Sequence, residues 1–323
     1  MILSPLLNFR KILEAAKVKN QNIRTRLAPT PSGYLHAGNA FSFVLTWLLA
    51  RASGPGNSLR LRIDDNDSTR LRREYSDDLF RSLRRLGLDW DEGPQNPAEA
   101  PLFSQTLRQE RYLQLLGRLY QTGHLYACTC SRKDIAAQTS HECPCLLNAH
   151  KLKSDPESAL GYTVPHDTAL RLHTPADLHI TVPDLSGKAI NVHLLTGIPN
   201  PVLMRRDGIP AYHIASLADD IDYKINLVVR GDDLLPSTAL HLHMATLLGE
   251  QSFPDALFLH HPLLTGPDGE KLSKSIGSRP VTPENTDERE LVAFFRMFSL
   301  LAGIPGEAVS AIGLLRQVKK EIS

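Results

Sequence analysis

An α/β fold built on a doubly wound parallel (Rossmann-like) sheet is what this chain predicts, on three observations. Short apolar strands alternate with helical stretches over most of its length. The first strand runs into a turn of small residues and prolines that ends at the start of an apolar helix, a place where backbone N–H groups can face an anion. The alternation breaks once, in a polar, cysteine-bearing stretch, and then resumes, which reads as an insertion between two halves of one sheet domain. Right-handed crossovers put the site of such a sheet at the carboxyl ends of its strands.

Residues 1–22 mix leucines and Phe9 with Arg10, Lys11 and Lys17 and read as an extra amphipathic helix rather than a signal peptide. Residues 23–28 form an apolar strand, and Pro29, Pro31 and Gly33 force an irregular turn. Asn39 opens a buried helix over 40–52, with Gly54 just beyond it. In residues 58–63, Leu59, Leu61 and Ile63 alternate with Arg60 and Arg62, a half-buried strand. The carboxylates of Asp64, Asp65 and Asp67 follow it, either to bind a metal or to solvate a turn.

Residues 70–88 carry Tyr75, Leu79, Leu83 and Leu86 on one helical stripe, 89–102 read as a loop, and 107–122 as a second amphipathic helix stopped by Gly123. The insertion spans 126–199, with β-like pieces at 177–182 and 190–195. The pattern then returns with a strand at 225–230, a helix from Pro236 to Gly249 and a strand at 256–261. The expected division is a helical extension (1–22), a catalytic domain (23–125 with 200–280), the zinc-containing α+β insertion (126–199) and a short C-terminal helical segment (281–323) with one clear helix at 288–303 and a basic tail.

The chain has 323 residues, 42% hydrophobic, with a net charge of +1. That supports a real core, and it leaves any RNA partner to be met by a local patch, not by overall charge. No run of about 18 apolar residues appears, so no spanning helix is expected. The four cysteines stand as Cys128-Thr-Cys130 and Cys143-Pro-Cys145, two close pairs that suit a structural, tetrahedral Zn²⁺ in a reducing, cytoplasmic setting. Four buried thiols, or a site in which His141 replaces one of them, are the alternatives.

Two loops carry the chemistry. In His36-Ala-Gly38-Asn39, the side chains of His36 and Asn39 project as neutral donors beside the helix start. In Gly269-Glu-Lys271-Leu-Ser273-Lys274-Ser275, two lysines three apart on a glycine-bounded loop can fold over a triphosphate and offset the charge that develops as pyrophosphate leaves. No Walker sequence competes for the phosphates. Both loops are expected to close on one nucleotide.

The pair resembles the His-Ile-Gly-His and Lys-Met-Ser-Lys-Ser signatures of class I aminoacyl-tRNA synthetases. Arg26-Leu-Ala-Pro-Thr30-Pro-Ser-Gly, Tyr212-His-Ile-Ala-Ser-Leu-Ala-Asp219-Asp220 and Arg230-Gly-Asp-Asp-Leu-Leu-Pro-Ser-Thr238 are similar to strings of the glutamyl branch. The resemblance covers about residues 23–278. It implies ATP, with Mg²⁺, as a substrate held by Thr30, His36, Gly38, Asn39, Lys271, Ser273 and Lys274. Of these, His36, Asn39, Lys271 and Lys274 would act in catalysis. It implies glutamate held by Arg26, Thr30, Asp64, Tyr212 and Arg230. A substrate with two carboxylates needs two cationic anchors, and Arg26 and Arg230 supply them. Asp219 and Asp220 read as a polar loop with a substrate-orienting role, not as a metal pair.

Where the branch carries Arg-Ile-Glu-Asp-x-Asp, this chain has Arg62-Ile-Asp64-Asp65-Asn-Asp67, a carboxylate one methylene shorter at the place that holds the substrate ammonium. The branch also carries a zinc element in the insertion that approaches the tRNA acceptor end. The layout, with little chain after the lysine loop, is similar to shortened paralogues that attach glutamate to the queuosine base of tRNA(Asp). The expected protein is a monomer that meets ATP, glutamate and tRNA and no membrane. A synthetase-like body that acylates the 3′ end of a tRNA and a non-catalytic tRNA-binding paralogue are the competing expectations.

Overall fold

A computed structural model describes residues 5–18, 22–67, 71–131, 133–134, 143–147, 152–264 and 288–322. In chain order these form α1 (Phe9–Val18), β1 (Arg24–Leu27), α2 (Ala37–Ala52), β2 (Ser58–Leu61), α3 (Arg73–Arg85) and α4 (Gln109–Gln121). The region that follows contains β3 (Leu125–Cys128), β4 (Lys153–Ser154), β5 (Tyr162–Thr163), β6 (Ala169–Leu172), β7 (His179–Pro183), β8 (Ala189–His193) and β9 (Val202–Met204). Then come α5 (Tyr212–Asp222), β10 (Leu227–Gly231), α6 (Leu235–Leu247), β11 (Leu257–His261), α7 (Glu288–Ala302) and α8 (Ala311–Ile322).

The parallel sheet is present as two pairs, β1 with β2 and β10 with β11. They are laid side by side: Asn226 N donates to Arg24 O (2.9 Å), Arg24 N donates to Asn226 Oδ1 (2.8 Å), and Thr25 Oγ1 donates to Leu227 O (2.8 Å). Glu92 extends the outer edge through a parallel bridge to Arg60. Strand order across the sheet, β2-β1-β10-β11, therefore switches sides at β1, and the crevice between the ends of β1 and β10 is where a doubly wound sheet binds its ligand.

Both faces are covered, as the near-continuous apolar strands require. Leu227, Val229 and Leu259 join one core with α1, α2, α3, α7 and α8, while Val228 and Phe258 join a second core with α4, α5 and α6. α1 buries Phe9, Ile12, Leu13 and Ala16 in the first core.

Three readings of the sequence are corrected. α2 begins at Ala37, before Asn39, so His36 caps it. Asp219 and Asp220 belong to α5 and are fully buried, not part of a polar loop, because Ile214, Leu217 and Ala218 pull their helix into the second core. The basic tail is α8, whose Leu314 and Val318 are buried and which packs on α2.

The inserted region holds a three-stranded antiparallel sheet, β3-β6-β9, and two hairpins, β4-β5 and β7-β8. Its last strand, β9, lies past residue 199. The β7-β8 turn reaches back to the main sheet, with Leu185 N donating to Phe258 O (2.8 Å). Among the described residues no helix is long and apolar enough to cross a membrane.

Candidate active site

A cavity of about 530 Å³ opens where β1 and β10 end, and Arg26, Thr30, His36, Asn39, Tyr212 and Arg230 all line it. Gly38 and Asp64 lie on its wall as well. The strand-to-helix turn, the second strand end, α5 and β10 are thus brought to one place. Lys271, Ser273 and Lys274 lie outside the described residues. Leu263 and Leu264, the last residues described before them, line the cavity.

One end of the cavity is built on the α2 N-terminus, whose first N–H groups have no partner within the helix. His36 takes the extended conformation of an N-cap, and its Nδ1 accepts from Asn39 N at 3.3 Å. Burial lowers the His36 pKa from its ordinary value, so the ring is neutral and presents Nε2–H as donor. Gly38 leaves room for that ring: a Cβ there would sit 3.2 Å from two imidazole atoms. The sequence missed a second polar pair in this wall, Ser42 and His261, at 2.5 Å. His261 Nδ1 faces Pro262 O at 3.0 Å, which leaves Nε2 to accept from the serine hydroxyl.

The other end is a buried charge cluster. Arg62 is wholly engaged: Nε and Nη2 donate to Asp64 at 2.6 and 3.0 Å, and Nη1 donates to Asp220 at 2.7 Å. These carboxylates push its pKa up against the opposing effect of burial. Arg26 Nε donates to Asp220 Oδ1 at 3.1 Å. Asp219 is taken by Arg108 Nε (2.7 Å), Tyr112 OH (2.9 Å) and Gln105 Nε2 (2.8 Å).

Arg230 differs from the other two arginines. Its nearest partners are neutral: Thr238 Oγ1 at 3.3 Å and His241 Nδ1 at 3.4 Å. Among the described residues, Asp220 at 3.9 Å is the one carboxylate within ion-pair distance. Arg26, Arg62 and Arg230 share Asp64 and Asp220, Asp219 being 3.9 Å from Arg62 but bonded to Arg108, so Arg230, 4% exposed, has no carboxylate at hydrogen-bond distance among the described residues. A bound carboxylate would balance it. Of the sequence-derived anchors, Arg230 carries the most available charge. Both oxygens of Asp64 are already held by Arg62. Gln105 gives no local signal and was not singled out from the sequence. Arg62 stood there only in the polar phase of a strand and at the head of the Arg62-Ile-Asp64 string, and Asp220 only as a polar-loop residue, neither as part of a buried charge cluster.

A second, larger cavity of about 990 Å³ shares Thr30, Asp64 and Tyr212 with the first and runs toward Cys130 and Ser131. Arg171, Arg205 and Arg206 stand on its walls. At its far end the ligand atoms of Cys128, Cys130, Cys143 and Cys145 lie within 4.8 Å of one another. The sulfur separations of 3.4, 3.6 and 3.7 Å are near the ~3.8 Å edge of a tetrahedron with Zn–S bonds of about 2.3 Å. All four cysteines are free of disulfides. His141 lies outside the described residues.

Fold and site together define a doubly wound α/β domain with a cavity of about 530 Å³ at its switch point, walled on one side by buried arginines. The chain belongs to the family of class I tRNA synthetases (E and Q), catalytic domain, whose pattern matches residues 22–321. It is 35% identical over 269 residues to the glutamate–tRNA ligase of Anaeromyxobacter sp. (strain K), covering 80% of this chain and 53% of that protein. It is 36% identical over 261 residues to the glutamyl-Q tRNA(Asp) synthetase of Nitratidesulfovibrio vulgaris, covering 78% of each. The corresponding protein of Nocardia farcinica is 37% identical over 258 residues, with 78% and 76% covered. The chain thus spans about half the length of the glutamate–tRNA ligases it matches. Among solved structures, the glutamate–tRNA synthetase of Elizabethkingia anophelis shares the fold, with a TM-score of 0.66 at 22% identity over 93% of this chain and 66% of that one.

Proposed function

We propose that the chain activates glutamate with ATP and transfers it to tRNA, the acceptor being the queuosine base of tRNA(Asp). The observation that carries the reading is the single cavity in which a capped helix N-terminus and the charge-bearing Arg230 face one another. An oxygen of the glutamate α-carboxylate attacks the α-phosphorus of ATP. The bond from that phosphorus to the bridging oxygen breaks, giving glutamyl-adenylate and pyrophosphate. No protein nucleophile is needed, so positioning and electrostatics supply the rate.

In this reading His36 Nε2–H, Asn39 and the N–H groups at Gly38 hold the phosphates, with Thr30 alongside. Lys271, Ser273 and Lys274 close over them, and Mg²⁺ accompanies the ATP. Arg230 and Arg26 anchor the substrate carboxylate, and Tyr212 covers the pocket. Asp64, already paired with Arg62, faces the ammonium. Cys128, Cys130, Cys143 and Cys145 hold a structural Zn²⁺. The arginine-walled second cavity admits the RNA nucleoside from the side of the insertion, with residues 23–125 and 200–280 as the catalytic domain. The reaction belongs in the cytoplasm, where its substrates are.

Support for queuosine comes from the two relatives named glutamyl-Q tRNA(Asp) synthetase, each covered over about three quarters of its length. Acylation of a tRNA 3′ end is the second reading, favoured by the equal similarity to glutamate–tRNA ligases. The test is ATP–pyrophosphate exchange across the twenty amino acids, followed by labelling of tRNA(Asp) with and without queuosine and of tRNA(Glu). Exchange with glutamate, and label only on queuosine-containing tRNA(Asp), is expected. Label that ignores queuosine overturns the acceptor, and exchange with no amino acid overturns the activity.

A further inference from the structure

A buried chain of hydrogen bonds connects the inserted hairpin to the substrate anchor. It starts at Asp184, just past β7 in the β7-β8 turn. Asp184 Oδ2 accepts from His260 N at 2.8 Å and faces His260 Nδ1 at 3.0 Å. Its Oδ1 accepts from Ser186 N at 2.8 Å, which fixes the turn. The side chains of His260 and Asp184 are each 1% exposed. These bonds hold the Asp184 carboxyl below the usual range despite its burial, so it is an acceptor and His260 Nδ1 carries the proton.

The other ring nitrogen, Nε2, lies 2.9 Å from Thr238 Oγ1. As acceptor, it draws the threonine hydroxyl proton toward itself. That turns the lone pairs of Oγ1 toward Arg230 Nη1, 3.3 Å away. The same hydroxyl has Leu234 O at 3.4 Å as its competing acceptor. Which of the two it donates to decides whether Oγ1 presents its electrons to the guanidinium.

We infer that Asp184 and His260 are positioning residues that, through Thr238, fix the guanidinium of Arg230 in the direction needed to receive a substrate carboxylate. The arrangement suits an anchor that must stay charged. A carboxylate in contact with Arg230 would compete with the substrate, whereas a neutral hydroxyl and imidazole orient it without spending its charge. Because Asp184 belongs to the insertion, displacement of that hairpin would release the anchor's orientation. This rests on the proposed activation of glutamate.

The experiment compares Thr238→Val, Thr238→Ser and Asp184→Asn with the unaltered chain by ATP–pyrophosphate exchange. Thr238→Val is expected to raise KM for glutamate about ten-fold, the loss of one hydrogen bond to a charged group, with KM for ATP unchanged. Thr238→Ser restores the glutamate value, and Asp184→Asn raises it in the same direction. A second readout needs no substrate: ¹⁵N NMR of the Arg230 side chain, assigned by its loss in Arg230→Lys. Guanidinium rotation is expected to be slow in the unaltered chain and faster in Thr238→Val and Asp184→Asn. Unchanged rotation, or equal rises in both KM values, overturns the relay while leaving glutamate activation standing. Faster rotation in a chain that exchanges with no amino acid overturns the activity and leaves the relay standing.

Discussion

His241 shows how one residue's protonation is set by its neighbours. It is fully buried, and its Nδ1 accepts from Arg230. Burial first, then the charge of Arg230, then His213, Arg62 and Arg26, hold its pKa well below the ordinary 6.5. His213 is pushed to about 4 by burial and Arg230. A histidine kept neutral in the folded chain binds its proton more readily once unfolded. Stability is therefore whole above the unfolded value near 6.5 and falls as pH drops through it, until the folded value is reached. Urea midpoints are expected to fall steadily between about pH 7 and about pH 5, and His241→Asn to flatten that slope. An equal slope in the variant would show that His241 is not among the groups that cause it. None of this was legible from His241 in the sequence, which looks like any polar position on a helix.

At the scale of elements, the strand and helix periods were readable because each depends on neighbours a few residues apart. β1, β11 and α7 fall within the expected stretches, and β10 overlaps its own but ends one residue later, at Gly231. What misled was the cap of α2 and the setting of α5. A helix start is chosen by a side-chain bond, here His36 to Asn39 N, and the apolar run alone points to a later residue. The docking of the insertion on α4 was equally invisible. Gly117 lies in α4, and a Cβ there would come 2.2 Å from Leu160 O. Gly117→Ala gains helix propensity but forces two elements apart. It is expected to lower stability by about 2 kcal/mol, measurable as a drop in the urea midpoint. An unchanged midpoint would mean the two elements can separate freely.

Across the whole molecule the site falls into two regions. The first cavity lies at the sheet, and the cysteine cluster lies at the far end of the second cavity. Cys143→Ser is therefore expected to lose zinc, measured as metal per chain. It should keep exchange within about two-fold, as for distant sites that act independently, and lose most of the labelling of RNA. Loss of exchange together with zinc would show that the cluster supports the sheet domain as well.

The amino-acid sequence by itself determined the alternation of strands and helices, the break at the cysteines, and the two strings, around His36 and around Lys271, whose resemblance pointed to its family. Those are properties of neighbouring residues, and spacing along the chain encodes them. Only the tertiary structure decided which charges are available. Nothing in the sequence says which of Arg26, Arg62 and Arg230 is already paired. Folding brings α5 across the strand ends, so that Asp220 meets Arg62 and Arg26 at bonding distance and stands 3.9 Å from Arg230. Pairing energy in a buried setting depends steeply on such distances between segments far apart in the chain.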